Sequence, residues 1–257
     1  MYNDNSLEAD LRKSALWINL VDTPQLNADL IHIFRQASAD PDVRVVVLTG
    51  AVERIFCVGG GGSAAPKDQP GRNAYWVKGM RQARELILTI LDCDKPVIGR
   101  INGHAIGKGC SIALCCDITI MAEGAKIGDT HVKVGLAAGD GGSLLWPNLV
   151  GLMRSKRFLL TGDLLTGREA AGIGLITEAV PEVELDARTD HWVERMMGAA
   201  SSAVAMTKRA LNASMRQQAS MHMDMSLGLE TLTFLTEDHE EGIAALKQKR
   251  EPKFDRP

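Results

Sequence analysis

Hydrophobic positions along the chain fall into two alternating patterns. SALWINLV (14–21) and VRVVVLTG (43–50) are short apolar runs. The second is β-branched and so continuous that both faces must be covered, as in a parallel sheet. Between them, TPQLNADLIHIFRQASADP spaces Leu26, Leu30, Ile33, Phe34 and Ala37 at helical intervals and stops at Pro41. FCVGGGGSAAPKDQPG has the composition of a loop, and YWVKGMRQARELILTILD (75–92) that of a helix. KPVIGRING (95–103) predicts a strand that turns at Asn102-Gly103. HAIGKGCSIALCCD opens with glycines and becomes an apolar helix from about Gly109. ITIMAE and AKIGD predict strands. Beyond residue 150 the spacing is helical, and from Asp186 onward no strand is predicted. Strands alternating with helices, then helices alone, predict an α/β core over 1–190 and a helical region over 191–257.

Composition narrows the function classes. A chain of 257 residues can bury one large core, with or without a helical appendage. The formal net charge of -3 argues against nucleic acid, which selects a basic excess. No apolar run approaches the roughly 20 residues of a membrane helix, and MYNDNSLEADLRKS has no signal-peptide core. The five cysteines (57, 93, 110, 115 and 116) form no CxxC pair and have no zinc spacing. Buried, reduced thiols, a cytoplasmic location and no metal are therefore expected.

The titratable groups concentrate in GDTHVKVGLAAGDGG (128–142), which holds His131, Asp129 and Asp140. Histidine ordinarily titrates near pH 6.5, so a small shift suits it to proton transfer. A carboxylate nine positions on could fix its tautomer. The alternative is a histidine satisfied in a loop, with Asp140 capping the helix that starts at DGGSLLW. Asp129 is a lesser second acid. His104 and Asp117 read as structural, and Trp76 and Trp146 as core or pocket wall.

Three stretches carry a family likeness: DVRVVVLTG with FCVGGGG, KPVIGRINGHAIGKGCSIALCCD, and VGLAAGDGG through FLLTGDLLTGREAAGIGLITEAVP. In this order, and continued to EGIAALKQKREPKF, they resemble the crotonase superfamily of enoyl-CoA hydratase/isomerase proteins. The resemblance implies a crotonase spiral of ββα units and a C-terminal helical trimerisation region, giving a homotrimer or a dimer of trimers. It implies an acyl-CoA substrate, with coenzyme A arriving as part of that substrate and no separate cofactor. It also implies an enolate or other oxyanion held by two backbone N–H groups, those of Val58 and Lys108. Cys57 and Gly60 would line the CoA path, and Lys249, Arg250 and Phe254 would sit beside its phosphates.

Two departures bear on the reaction. The family's two glutamate positions hold Ser111 and His131 here, and Gly61 stands where an aspartate is common. The His131/Asp140 pattern is similar to that of crotonase-fold β-diketone hydrolases, which cleave a C–C bond by a retro-Claisen reaction. Three functions stay open on the sequence: an acyl-CoA enzyme working through an oxyanion, a C–C hydrolase of a cyclic β-dicarbonyl, and an inert acyl-CoA-binding protein.

Overall fold

A computed structural model describes residues 7–59 and 72–254; Gly60, Gly61 and the side chain of Trp76 lie outside the described residues. The chain opens with β1 (Leu7–Arg12), β2 (Ala15–Leu20) and α1 (Leu26–Ala39). Three pairs of strands follow: β3 (Val45–Gly50) with β4 (Arg54–Cys57), β5 (Val97–Ile101) with β6 (Gly103–Ile106), and β7 (Ile118–Ala122) with β8 (Lys126–Gly128). Helix α2 (Arg72–Asp92) separates the first pair from the second, and α3 (Lys108–Leu114) the second from the third.

The first strand of each pair enters a six-stranded sheet of order β1-β2-β3-β5-β7-β10, and the second enters a four-stranded sheet of order β4-β6-β8-β9. Each ββα unit thus contributes one strand to each sheet and steps one place along both, which is the spiral expected from the resemblance. The β3-β5-β7 and β4-β6-β8 pairings are all parallel. Val45, Val46, Val47 and Leu48 are wholly buried, as their continuous apolar run predicts.

Asn102 is the single residue between β5 and β6, and it ties two corners together. Its Oδ1 accepts the Gly50 N–H at 2.9 Å, and its Nδ2 donates to the carbonyls of Gly50 and Val52 at 3.2 and 3.0 Å. A corner in which the chain leaves one sheet for the other strands backbone groups, and a side-chain amide satisfies them.

After β8 come a 3-10 turn (His131–Val134), α4 (Gly142–Val150), α5 (Leu152–Thr161), β9 (Leu165–Thr166), α6 (Gly167–Gly172) and β10 (Glu178–Val180). The chain then runs through α7 (Leu185–Gly198), α8 (Ser201–Thr233) and α9 (Glu237–Gln248). The expected helical C-terminal region is there, but the 190/191 division falls inside α7. Helix α8 packs along α2 and α4. It is pinned by Lys208, whose ammonium pairs with Asp117 Oδ2 at 2.7 Å and donates to the Lys95 carbonyl at 3.0 Å. Asp117 also accepts the Val97 N–H at 2.7 Å, so its role is structural, as expected.

Five strands escape the hydrophobic pattern: β1, β4, β6, and the short β9 and β10, which lie where helical spacing was expected. β1 is joined to β2 through Lys13 and Ser14, both at positive φ (46° and 70°), where glycine or asparagine would ordinarily announce the hairpin. β6 occupies 103–106, four residues that read as a glycine-rich lead-in to a helix, and α3 begins at Lys108. His104 on β6 accepts the Lys126 N–H at Nδ1 (3.0 Å), the structural task expected of it. All five cysteines are free thiols; four are buried and Cys116 is partly so. Among the described residues no helix is long and apolar enough to cross a membrane.

Candidate active site

The strand β8 delivers its C-terminal end to Asp129, a carboxylate only 2% exposed. Asp129 Oδ1 accepts the backbone N–H of His131 at 3.1 Å and lies 2.6 Å from the imidazole Nδ1. Both grips act on a residue two positions away, so ring and backbone are fixed together. The opposite nitrogen, Nε2, then faces two further carboxylates: Asp140 Oδ2 at 3.8 Å and Glu230 Oε1 at 3.9 Å. Asp140 is held from its other side by the Ser111 hydroxyl, which donates to Oδ1 at 3.2 Å.

Helix α8 braces the loop that carries Asp140. Ser226 donates its hydroxyl to the Gly139 carbonyl at 2.9 Å, and Thr233 Oγ1 accepts the Ala137 N–H at 3.1 Å. The approach is so close that a Cβ on Gly139 would lie 2.4 Å from the Ser226 carbonyl oxygen and 2.6 Å from Glu230 Cβ. Glycine here lets α8 press Glu230 into the cluster.

The second half of the site is backbone. β4 ends in register with β6, Cys57 opposite Ala105. Gly109 in the first turn of α3 packs directly on the Cys57 carbonyl, where a Cβ would come within 1.8 Å of the oxygen. Lys108 opens α3, so its N–H has no partner within the helix. The Cβ direction of Gly59, next to Val58, points to within 3.8 Å of the Lys108 nitrogen. The His131 ring lies 3.6 Å from the Cβ position of Gly107, the residue before Lys108. The segments bearing the Val58 and Lys108 N–H groups are therefore neighbours, and His131 stands beside them.

Comparison with known proteins shows the family. The family model for enoyl-CoA hydratase/isomerase matches residues 21–257. The chain belongs to the enoyl-CoA hydratase/isomerase family. It is 34% identical to the (E)-benzylidenesuccinyl-CoA hydratase of Thauera aromatica over 90% of this chain and 89% of that one. It is 31% identical to the crotonyl-CoA hydratase of Syntrophomonas wolfei subsp. wolfei over 98% of each. An enoyl-CoA hydratase structure from Mycobacterium avium subsp. paratuberculosis K-10 superimposes with a TM-score of 0.87 at 26% identity, covering 98% of this chain and 99% of that one.

Against the family background, several sequence expectations change. Asp140 does not cap α4: the N-cap is Gly141, with no side-chain capping bond, and Asp140 turns to Ser111 instead. The carboxylate that orients His131 through a hydrogen bond is Asp129, expected only as a lesser acid, because its Oδ1 lies 2.6 Å from Nδ1 while Asp140 lies toward Nε2. Glu230 was not anticipated. A signal existed, since Ala219, Met223, Ser226, Leu227 and Glu230 follow one helical stripe, and the last of them puts a carboxyl on the buried face of α8.

Other expected residues are placed as follows. Trp146 is wholly buried core, 5.5 Å from the Phe158 ring. The Cys57 thiol is pushed up to about 11, chiefly by burial, which keeps it a thiol at neutral pH. Lys249 ends α9 in the left-handed region, and Phe254 is exposed. Arg250 forks onto Glu241 at 2.5 and 2.7 Å, so its guanidinium is already engaged.

The charges in the cluster are unusual. Burial pulls the His131 pKa down, but Asp140, Asp129 and Glu230 outweigh it and carry the imidazole up to about 10. The small shift expected from sequence is thus corrected: His131 is an imidazolium at neutral pH. Burial, reinforced by the negative charges of Asp140 and Asp129, pushes Glu230 up to about 8, with His131 opposing. Asp140 is also raised, chiefly by burial, with His131 opposing. Asp129, His131 and Asp140 bring possible ligand atoms within 4.8 Å of one another, so these residues could hold a cation. One imidazole nitrogen is already committed to Asp129.

These shifts share a sign. His131 contributes stability that is complete below its ordinary value near 6.5 and lost as pH rises through about 10. Glu230 imposes no penalty below its ordinary value of 4.5, and a growing one up to about 8. The thermal midpoint of the wild-type protein is therefore expected to fall between pH 6.5 and 10. Glu230→Gln, neutral throughout, should flatten that fall. Identical wild-type and variant slopes would show that the cluster does not hold these protons.

Proposed function

We propose that this family member adds water to an unsaturated acyl-CoA thioester. The thioester oxygen would rest on the Val58 and Lys108 N–H groups, and protons would be handled by Asp140 and His131 in place of the usual glutamate pair. One observation carries the reading. Ser111 and His131, at the two positions where the family has glutamates, both face Asp140, at 3.2 and 3.8 Å. The carboxylate is supplied from the loop before α4 rather than from α3, and an imidazolium replaces the second acid.

The chemistry divides accordingly. Two preorganised N–H donors stabilise negative charge that develops on the thioester oxygen. Asp140, with its pKa raised chiefly by burial, is a stronger base than an ordinary carboxylate and takes the proton from the attacking water. His131 enters protonated and returns a proton to the α-carbon of the enolate, with Asp129 holding the ring in place. The sequence reading of His131 as the resting base is thereby reversed into that of an acid. No group beyond the CoA carried by the substrate is called upon. The two hydratases that match over most of their lengths support water addition.

A second reading has its own support: an imidazole–carboxylate pair, rather than two glutamates, suits attack of water on a carbonyl and C–C cleavage of a β-dicarbonyl. The deciding experiment is incubation in ¹⁸O-water with a short 2-enoyl-CoA and, separately, a cyclic 1,3-diketone, with products read by mass spectrometry. The expected result is an ¹⁸O-labelled 3-hydroxyacyl-CoA. A labelled, ring-opened keto acid and no hydrated thioester would replace this reading with the second. Absence of either product would leave an acyl-CoA binder without turnover.

A further inference from the structure

The proposed reaction uses the backbone of Lys108 and leaves its side chain unexplained. A glycine would serve the N–H equally well, and a cation in the first turn of a helix is disfavoured by the helix dipole. The lysine is therefore not there for α3. Its ammonium reaches Asp22 Oδ1, on the segment between β2 and α1, at 3.3 Å. That is longer than the roughly 2.7–2.9 Å of a well-formed charge-assisted bond. The two side chains keep 23% and 19% of their surface exposed, so the pair is neither locked away nor fully solvated. Asp22 takes one of three ammonium donors, and no other partner appears among the described residues.

The ammonium is felt across the site. It works against the upward pull of burial on the Cys57 thiol on one side and on the Asp140 carboxyl on the other. Asp129, Asp140 and Glu230 gather three carboxylates around His131, which disfavours a second anion there. An ammonium with donors left unused among the described residues, on the residue whose N–H would meet the thioester oxygen, makes the Lys108 side the place where such an anion is tolerated.

We propose that Lys108 is a specificity-determining residue that selects acyl-CoA thioesters bearing a second, free carboxylate on a short acyl chain. The inference rests on the acyl-CoA reading above. The substrate carboxylate would share the ammonium with Asp22, using donors that Asp22 leaves open, while the thioester oxygen occupies the two N–H groups.

The test is calorimetric binding of succinyl-CoA and butyryl-CoA to the full-length protein; the two ligands differ by a carboxylate in place of a methyl group. Wild type is expected to bind succinyl-CoA at least about tenfold more tightly, the low end of what a hydrogen bond to a charged group supplies. Lys108→Met keeps the backbone N–H and should bring the ratio of the two dissociation constants to near one. Lys108→Arg should preserve the preference, and Asp22→Asn, which frees the ammonium, should widen it. Equal binding by wild type, or a preference that survives Lys108→Met, overturns the assignment and leaves the acyl-CoA reading standing. Failure of both thioesters to bind overturns that reading, and this inference with it.

Discussion

His131→Asn should lower turnover by at least about a hundredfold while the chain remains folded, the low end of what a positioned acid or base supplies. The argument is geometric before it is electrostatic. Asp129 fixes Nδ1 at 2.6 Å, so Nε2 can point only toward Asp140 and Glu230. Asparagine can keep a hydrogen bond to Asp129, but it has no proton to give to carbon. It also leaves three carboxylates without the imidazolium that offsets them, so Asp140 and Glu230 should both hold their protons to higher pH. The loss should accordingly deepen as pH falls and a larger share of Asp140 is protonated than in wild type. Steady-state kcat between pH 6 and 9, alongside circular dichroism, checks this. Turnover near wild type in a folded variant would remove His131 from the chemistry.

Asp129→Asn tests the same network one step back. It keeps the shape around Nδ1 but removes the charge that holds the imidazolium, so a smaller loss with an altered pH profile is expected from a positioning residue.

How much of this was legible in the sequence depends on the range of each signal. The buried strand at 45–50 and helix α1 are local features, with the hydrophobic period and Pro41 sufficient to find them. The β1–β2 hairpin was hidden because Lys13 and Ser14 adopt positive φ without the usual residues. β6 was hidden because its four residues are too few to show a period. At the site, Asp129, His131 and Asp140 share one 15-residue stretch, but their order of importance could not be read from spacing. Asp129, two residues from His131, reads only as a lesser second acid at the end of the predicted strand AKIGD, whereas its burial makes it the grip on the ring. Glu230 is about a hundred residues away. It reaches the cluster only because Gly139 and Ser226 allow α8 to approach the loop, a contact between distant segments that no local pattern encodes.

Gly109→Ala is expected to cost turnover on the order of 10²–10³-fold, the scale for losing one oxyanion donor, and to lower the melting temperature as well. The added methyl would lie 1.8 Å from the Cys57 carbonyl oxygen and 2.5 Å from its carbon. Neither is a flexible side chain, so the whole start of α3 must move away from the end of β4. That contact sets the spacing between the Val58 and Lys108 N–H groups, and a shift of even an ångström leaves one of them out of reach of an oxygen bound to the other. Gly198→Ala adds the same methyl at the end of α7, where nothing lies within 4 Å, and should leave turnover unchanged. The comparison separates a general effect of replacing glycine from a specific one at the β4–α3 contact. If folded Gly109→Ala protein turns over as fast as Gly198→Ala, the two backbone donors are not what stabilises the reacting oxygen. If it binds the thioester but fails to convert it, this close approach between two backbones is also the catalytic spacing.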